Sequence, residues 1–217
     1  MLNKNILTHT VDFVKKELSD AEGGHDWWHI YRVWKMAARI AAIESVDAEV
    51  VELAALLHDI ADPKFHDGDE SVGPRVAQSY LESQSVEKGT IEHVVNIIKH
   101  MSFKNSLDTE TFTSKEMEVV QDADRLDAIG AIGIARTFSY GGYKGNLMHD
   151  PLEKPKLNMT KEEYKKSQGT SLNHFYEKLL LLKDKMNTAT AKTIAQSRHD
   201  YMEKYVERFL EEFEGEI

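Results

Sequence analysis

Hydrophobic positions along the chain recur with a period near 3.6 residues, and no stretch alternates strictly over five or more residues as a half-buried strand would. The pattern predicts an all-α protein. A first helix spans about Leu7 to Leu18, and a Gly23-Gly24 break separates it from a second, Trp27 to about Glu44. Val33, Met36, Ala37 and Ile40 form the apolar stripe of that second helix. One four-residue step back from Val33 reaches His29, which is therefore predicted to point inward. Asp47 is placed to cap a third helix whose Val50, Val51, Leu53, Ala54, Leu56 and Leu57 leave it apolar nearly all round, the composition of a buried central element. That helix runs out in His58-Asp59-Ile60-Ala61-Asp62-Pro63, where the proline disfavours helical geometry at Asp62.

A polar loop from Phe65 to Gly73 precedes predicted helices at Pro74 to Glu82, with Pro74 suited to the first helical position, and at Val86 to His100. A helix from Ser114 to about Arg125 carries Met117, Val120 and Gln121 on one side, and steps of three and four put Asp124 on that side too. Ala128 to Phe138 continues as a small-residue helix in which Gly130 and Gly133 predict close packing. From Ser139 to Glu162 the periodicity stops amid Gly141, Gly142, Gly145, Pro151 and Pro155, which predicts a long loop of the lid or binding kind. Two helices, Ser167 to Asp184 and Ala189 to Glu214, close the chain. With no repeat, low-complexity tract or linker, the expectation is one helical bundle over 1–217, its core about 6–136 and a loop at 139–162 before the C-terminal helices at 167–214.

Composition narrows the chemistry. The 217 residues include 27 Lys plus Arg, 37 Asp plus Glu, ten His and no Cys, for a formal net charge of −10. Without cysteine there is no disulfide framework, thiolate metal site or thiol nucleophile, so a metal would be held by His and carboxylate alone. Hard or borderline divalent cations suit such ligands. The acidic excess describes a solvated exterior and argues against a nucleic-acid polymer as partner. No apolar run approaches 18 residues, and Met1 to Thr10 lacks the basic start and apolar core of a secretory signal, so a cytoplasmic protein with no membrane association is expected. Phosphate-loop, Gly-x-Ser-x-Gly and His-Glu-x-x-His motifs are absent.

Three inward polar positions then stand out, on three separate helices: His29, His58 with Asp59, and Asp124. A lone inward histidine is ordinarily a satisfied core residue. Burying several ionisable groups is costly unless they pair, hydrogen-bond or bind metal, and two imidazoles with two carboxylates can coordinate one divalent cation while leaving positions for water.

The strings His29-Ile30-Tyr31-Arg32-Val33, Leu56-Leu57-His58-Asp59-Ile60 and Asp122-Ala123-Asp124-Arg125-Leu126-Asp127 resemble the HD-domain metal-dependent phosphohydrolases. Gly24-His25-Asp26-Trp27-Trp28-His29 and the segment from Gln121 to Gly133 resemble more closely the small bacterial YedJ/YpgQ-like HD proteins. The resemblance implies a helical HD fold in which His29, His58, Asp59 and Asp124 hold one divalent metal, Mn first, with Co, Ni, Mg, Fe and Zn as alternatives. Asp122 and Asp127 are rival carboxylates; the family's Ala-Asp-Arg-Leu string and the inward stripe both favour Asp124. Asp122 is then expected in a supporting or surface position, and Asp127 at a helix start or on substrate.

Asp62 is where related enzymes place an acid that orients or deprotonates the attacking water, with helix-end solvation as its plain alternative. His25 is a candidate to protonate the leaving oxygen or to cap its turn. His100 is read as a substrate-phosphate contact and His93 as structural. Lys64, Arg125 and Lys144 are the cations expected to meet substrate charge, while Lys178, Lys185 and Arg198 read as solvated. Trp27, Trp28, Tyr140 and Tyr143 could stack on a base or simply pack. The activity implied is hydrolysis of a small phosphorylated substrate, a nucleotide: (d)NTP to (d)NMP and pyrophosphate by water that the cation activates. A phosphomonoesterase is the alternative within that class, and a metal-stabilised nucleotide- or protein-binding module the alternative outside it. A homodimer is compatible with this reading.

Overall fold

The computed structural model describes residues 4–19, 26–61, 69, 71–101, 112–157, 159–160, 163 and 169–217. Among the described residues every regular element is a helix: α1 (Lys4–Glu17), α2 (Trp27–Ala41), α3 (Ala48–Leu57), α4 (Val72–Ser83), α5 (Lys88–His100), α6 (Lys115–Asp127), α7 (Gly130–Lys144), the short α8 (Asn173–Glu177), a 3₁₀ helix (Leu179–Lys185) and α9 (Ala189–Phe213). None is long and apolar enough to cross a membrane. The chain groups into two compact units, Met1–Asp124 and Arg125–Ile217, and α6 passes from the first into the second.

In the first unit α3 is the central element. Val50, Val51 and every residue from Leu53 to Leu57 are buried, and α3 packs against α1, α2 and α5, with α4 on α5. Its start is set by Asp47, whose carboxylate accepts the Glu49 and Val50 amides at 2.9 and 3.3 Å, as the sequence pattern predicts for an N-cap. The Asp47 amide in turn donates to Glu116 Oε1 at 3.0 Å, tying that end to α6. Ser114 Oγ caps α6 by accepting the Met117 amide at 3.1 Å. Pro74 stands third in α4 rather than first. It is tolerated there because the first four amides of a helix have no intrahelical acceptor.

The second unit departs from the predicted pattern in two places. The segment read as a loop from Ser139 begins as helix: α7 continues to Lys144 and stops at Gly145, whose φ of 72° is the left-handed cap conformation glycine favours. Gly141 lies inside that helix, buried, where a Cβ would stand 2.1 Å from Ser171 Oγ, so its role is close approach rather than chain breaking. The helix predicted over Ser167 to Asp184 reduces to α8 and the 3₁₀ turn, because Lys178 at φ −145°, ψ −57° interrupts it. Ahead of α8, the Ser171 and Leu172 amides bond to the Leu147 and Met148 carbonyls, which ties the turn at 171–172 to that segment. Phe138, Phe175, Tyr205 and Phe209 form a contiguous ring cluster, with centroids 5.8–6.2 Å apart, between α7, α8 and α9.

Candidate metal centre

His29 occupies the third position of α2. Asp26 caps this helix, its Oδ1 accepting the His29 amide at 2.9 Å, and that bond sets the start of the stripe Ile30, Val33, Ala37 and Ile40. His29 is consequently buried, at 3% exposure. Asp26 escapes a reading focused on periodicity, although an aspartate just before the first apolar positions is itself a capping signal.

His58 is the C-cap of α3, and its Nδ1 lies 2.9 Å from the Ala55 carbonyl. A carbonyl only accepts, so Nδ1 carries the proton and Nε2 the lone pair. That Nε2 is buried and has no hydrogen-bond partner among the described residues. A buried acceptor left unmade is costly, which makes this atom the strongest local sign of an absent ligand.

Around it the donors converge. One ligand atom each from His29, His58 and Asp59 lie within 4.8 Å of one another, and the two imidazole rings meet edge to face with centroids 5.4 Å apart. His29 Nε2 is 4.0 Å from Asp59 Oδ2 and 3.6 Å from Asp124 Oδ1. Both separations exceed the roughly 2.7–3.2 Å of a hydrogen bond. They match donors that share an ion, since two ligands each about 2.1 Å from a cation stand roughly 3.0–4.2 Å apart as the angle opens from a right angle to a straight line. Two carboxylates within 4.0 Å of one buried imidazole nitrogen also gather negative charge that a cation would offset. The donor set, nitrogen and oxygen with no sulfur, fits a divalent cation of the hard or borderline class.

Asp124 approaches this group at His29 and keeps 44% of its side chain exposed, so the centre is open on its side. Asp122, two residues earlier, is fully buried rather than superficial. Asp127 is also buried, ends α6 rather than starting a helix, and pairs with the Arg136 guanidinium.

Of the residues expected to meet substrate, His100 ends α5 with Nδ1 on the Asn96 carbonyl at 2.9 Å and its ring 5.6 Å from Phe112, and it does not belong to the donor cluster. His93 binds Ser114 Oγ at 2.9 Å and lies 3.6 Å from Glu116 Oε2, an arrangement that braces α5 on α6. Arg125 donates to the Lys185 carbonyl at 2.7 Å. Lys144, predicted in a loop, is the last residue of α7 and lies over the rings of Tyr140 and Tyr143, 5.6 and 5.2 Å from their centroids. Trp27 and Trp28 both pack on Tyr31 of their own helix. His25, Asp62 and Lys64 lie outside the described residues.

The sequence matches the HD domain family model over residues 27–129, a span that holds all four predicted ligands. YpgQ of Bacillus subtilis is 39% identical over 207 residues, covering 94% of this chain and 91% of its own. Among solved structures, an HD-superfamily hydrolase from Bacillus thuringiensis is 44% identical, covers 98% of each chain and superposes with a TM-score of 0.80. The B. subtilis YpgQ structure in complex with ADP is 35% identical over 98% of this chain and 96% of that one, with a TM-score of 0.77. A helical bundle that gathers His, His-Asp and a further Asp from separate helices, matched end to end by such relatives, belongs to the HD superfamily of metal-dependent phosphohydrolases.

Proposed function

We propose that this protein is a nucleotide pyrophosphohydrolase that converts a nucleoside or deoxynucleoside triphosphate to the monophosphate and pyrophosphate, using one Mn²⁺ held by His29, His58, Asp59 and Asp124. The observations that carry the metal assignment are the buried His58 Nε2 without a hydrogen-bond partner among the described residues and the gathering of one ligand atom each from His29, His58 and Asp59 within 4.8 Å. The nucleotide assignment draws support from B. subtilis YpgQ, matched over more than nine-tenths of its length, whose structure was determined in complex with ADP. A divalent cation supplies Lewis-acid polarisation of a phosphoryl oxygen and a water acidic enough to attack near neutral pH.

The chain's own residues do the remainder. His29 and His58 act as neutral donors, the second fixed in its tautomer by Ala55. Asp59 and Asp124 supply the negative charge that makes the site selective for a cation over water. Asp62, three residues beyond Asp59, takes the proton of the attacking water, and His25 returns one to the leaving oxygen. His100 offers its second ring nitrogen to a phosphate, the first being engaged with Asn96. Lys64, Arg125 and Lys144 balance the remaining charge of the triphosphate.

The deciding experiment is product analysis on a triphosphate panel with Mn²⁺, Co²⁺, Ni²⁺ and Mg²⁺. Stoichiometric pyrophosphate and monophosphate are expected. Orthophosphate without pyrophosphate from the triphosphates, together with orthophosphate from the corresponding monophosphates, would replace this reading with a phosphomonoesterase, and nucleotide binding without turnover under any cation would replace it with a binding module.

A further inference from the structure

The two imidazoles of the centre come from different helices, so the distance between them depends on how α2 sits along α3. These helices are neighbours joined by a short connection, 42–47, which makes them antiparallel. In an antiparallel pair, a step forward on one helix matches a step backward on the other. Starting from the His29–His58 contact, five residues forward along α2 reach Trp34 and six residues back along α3 reach Glu52. At that point the Trp34 indole Nε1 donates to Glu52 Oε2 at 2.7 Å. The two contacts therefore belong to one register, separated by about 8 Å of helix axis.

The rest of the α2 stripe, Ile30, Val33, Ala37 and Ile40, is aliphatic. Aliphatic packing is non-directional and tolerates small axial shifts, whereas a hydrogen bond to a carboxylate weakens steeply with displacement. Trp34 is itself held in place. Tyr31 meets its ring edge-on with centroids 6.3 Å apart, and the Lys35 ammonium lies 4.9 Å over its face.

We infer that Trp34 and Glu52 are positioning residues for the metal centre: their hydrogen bond clamps the height of α2 against α3 and so sets the separation of the His29 and His58 donors that a divalent cation must bridge. Neither residue touches the ion. The inference rests on the metal centre of the function proposed above but not on its substrate.

The test is Mn²⁺ affinity of the metal-free full-length chain, measured by calorimetry for Trp34→Phe, Glu52→Leu, their combination, and Glu52→Gln. Trp34→Phe keeps an aromatic ring without the donor, and Glu52→Gln keeps an acceptor without the charge. Each of the first two should weaken Mn²⁺ binding by up to about tenfold, the lower end of what losing a group that orients metal ligands costs. Their combination should be no weaker than either alone, and Glu52→Gln should match the wild type. Equal losses in Glu52→Gln and Glu52→Leu, with Trp34→Phe unaffected, would assign the effect to the Glu52 charge and overturn the clamp. Should Glu52→Leu fail to fold, the contrast between Trp34→Phe and Glu52→Gln decides by itself. Wild-type binding with unchanged variants overturns the clamp alone, while a wild-type chain that takes up no Mn²⁺ overturns the metal centre and the clamp with it.

Discussion

Replacing Asp59 with Ala should separate the metal's contribution to this fold from that of the polypeptide. The metal-free cost is small. Asp59 follows the C-cap of α3, where a carboxylate faces the negative end of the helix dipole, and its side chain is 22% exposed. Removing it should shift the metal-free protein by no more than about 1 kcal/mol, or roughly 2–4 °C for a chain of this length. The loaded protein behaves differently. Mn²⁺ at a hundredfold excess over its Kd stabilises the native state by about 2.7 kcal/mol. That stabilisation corresponds to a rise in melting temperature of roughly 5–11 °C. Without Asp59 the compact donor group loses its carboxylate, and the rise should vanish together with hydrolysis. Thermal melts of wild type and Asp59→Ala, each in chelator and in Mn²⁺, read all four states. A metal-induced rise that survives in the variant, or a collapse of its metal-free stability, would refute the reasoning, the first by removing Asp59 from the ligand set and the second by making it structural.

Asp62→Ala should leave the Mn²⁺-induced rise intact while lowering turnover by about 10²–10⁴-fold, the range of a lost general base, and unchanged turnover would remove Asp62 from the chemistry. Gly133→Ala should cost about 1–3 kcal/mol in urea unfolding, because its Cβ would stand 2.3 Å from the Ala128 carbonyl oxygen, a backbone atom with little room to yield. His174, desolvated by burial and repelled by Lys178, has its pKa lowered from 6.5 to about 4. Between those values the unfolded chain binds a proton that the native chain does not. The contribution is therefore complete above about pH 6.5 and is lost as pH falls toward 4, by at most about 3 kcal/mol. His174→Gln should flatten that part of the stability profile, and an unaltered pH dependence of the urea midpoint would exclude His174 as its source.

The all-helical class, the central position of α3 and the inward direction of His29 are legible in the chain because each is a consequence of helical spacing and composition. Asp47 is legible for the same reason, since a cap acts on amides two and three residues away. The His-Asp pair at 58–59 is conspicuous at the end of an apolar helix, whereas helical spacing favours Asp124 over Asp122 as the inward carboxylate of α6 and the structure instead buries Asp122 fully and leaves the Asp124 side chain 44% exposed. What the pattern misjudges is governed by contacts distant in sequence. Gly141 reads as a breaker until Ser171 is placed against it, and the glycine-poor stretch from Ser167 to Asp184 reads as helix until the 147–148 and 171–172 backbones pair.

Local sequence thus determined the helices and the residues offered to the centre. Only tertiary structure decided that His29, His58 and Asp59 meet within 4.8 Å, that His58 Nε2 has no hydrogen-bond partner among the described residues, and that Trp34 reaches Glu52. The physical reason is range: helical periodicity and capping act over about four residues, whereas the spacing of donors on two helices is set by contacts between residues far apart in the chain.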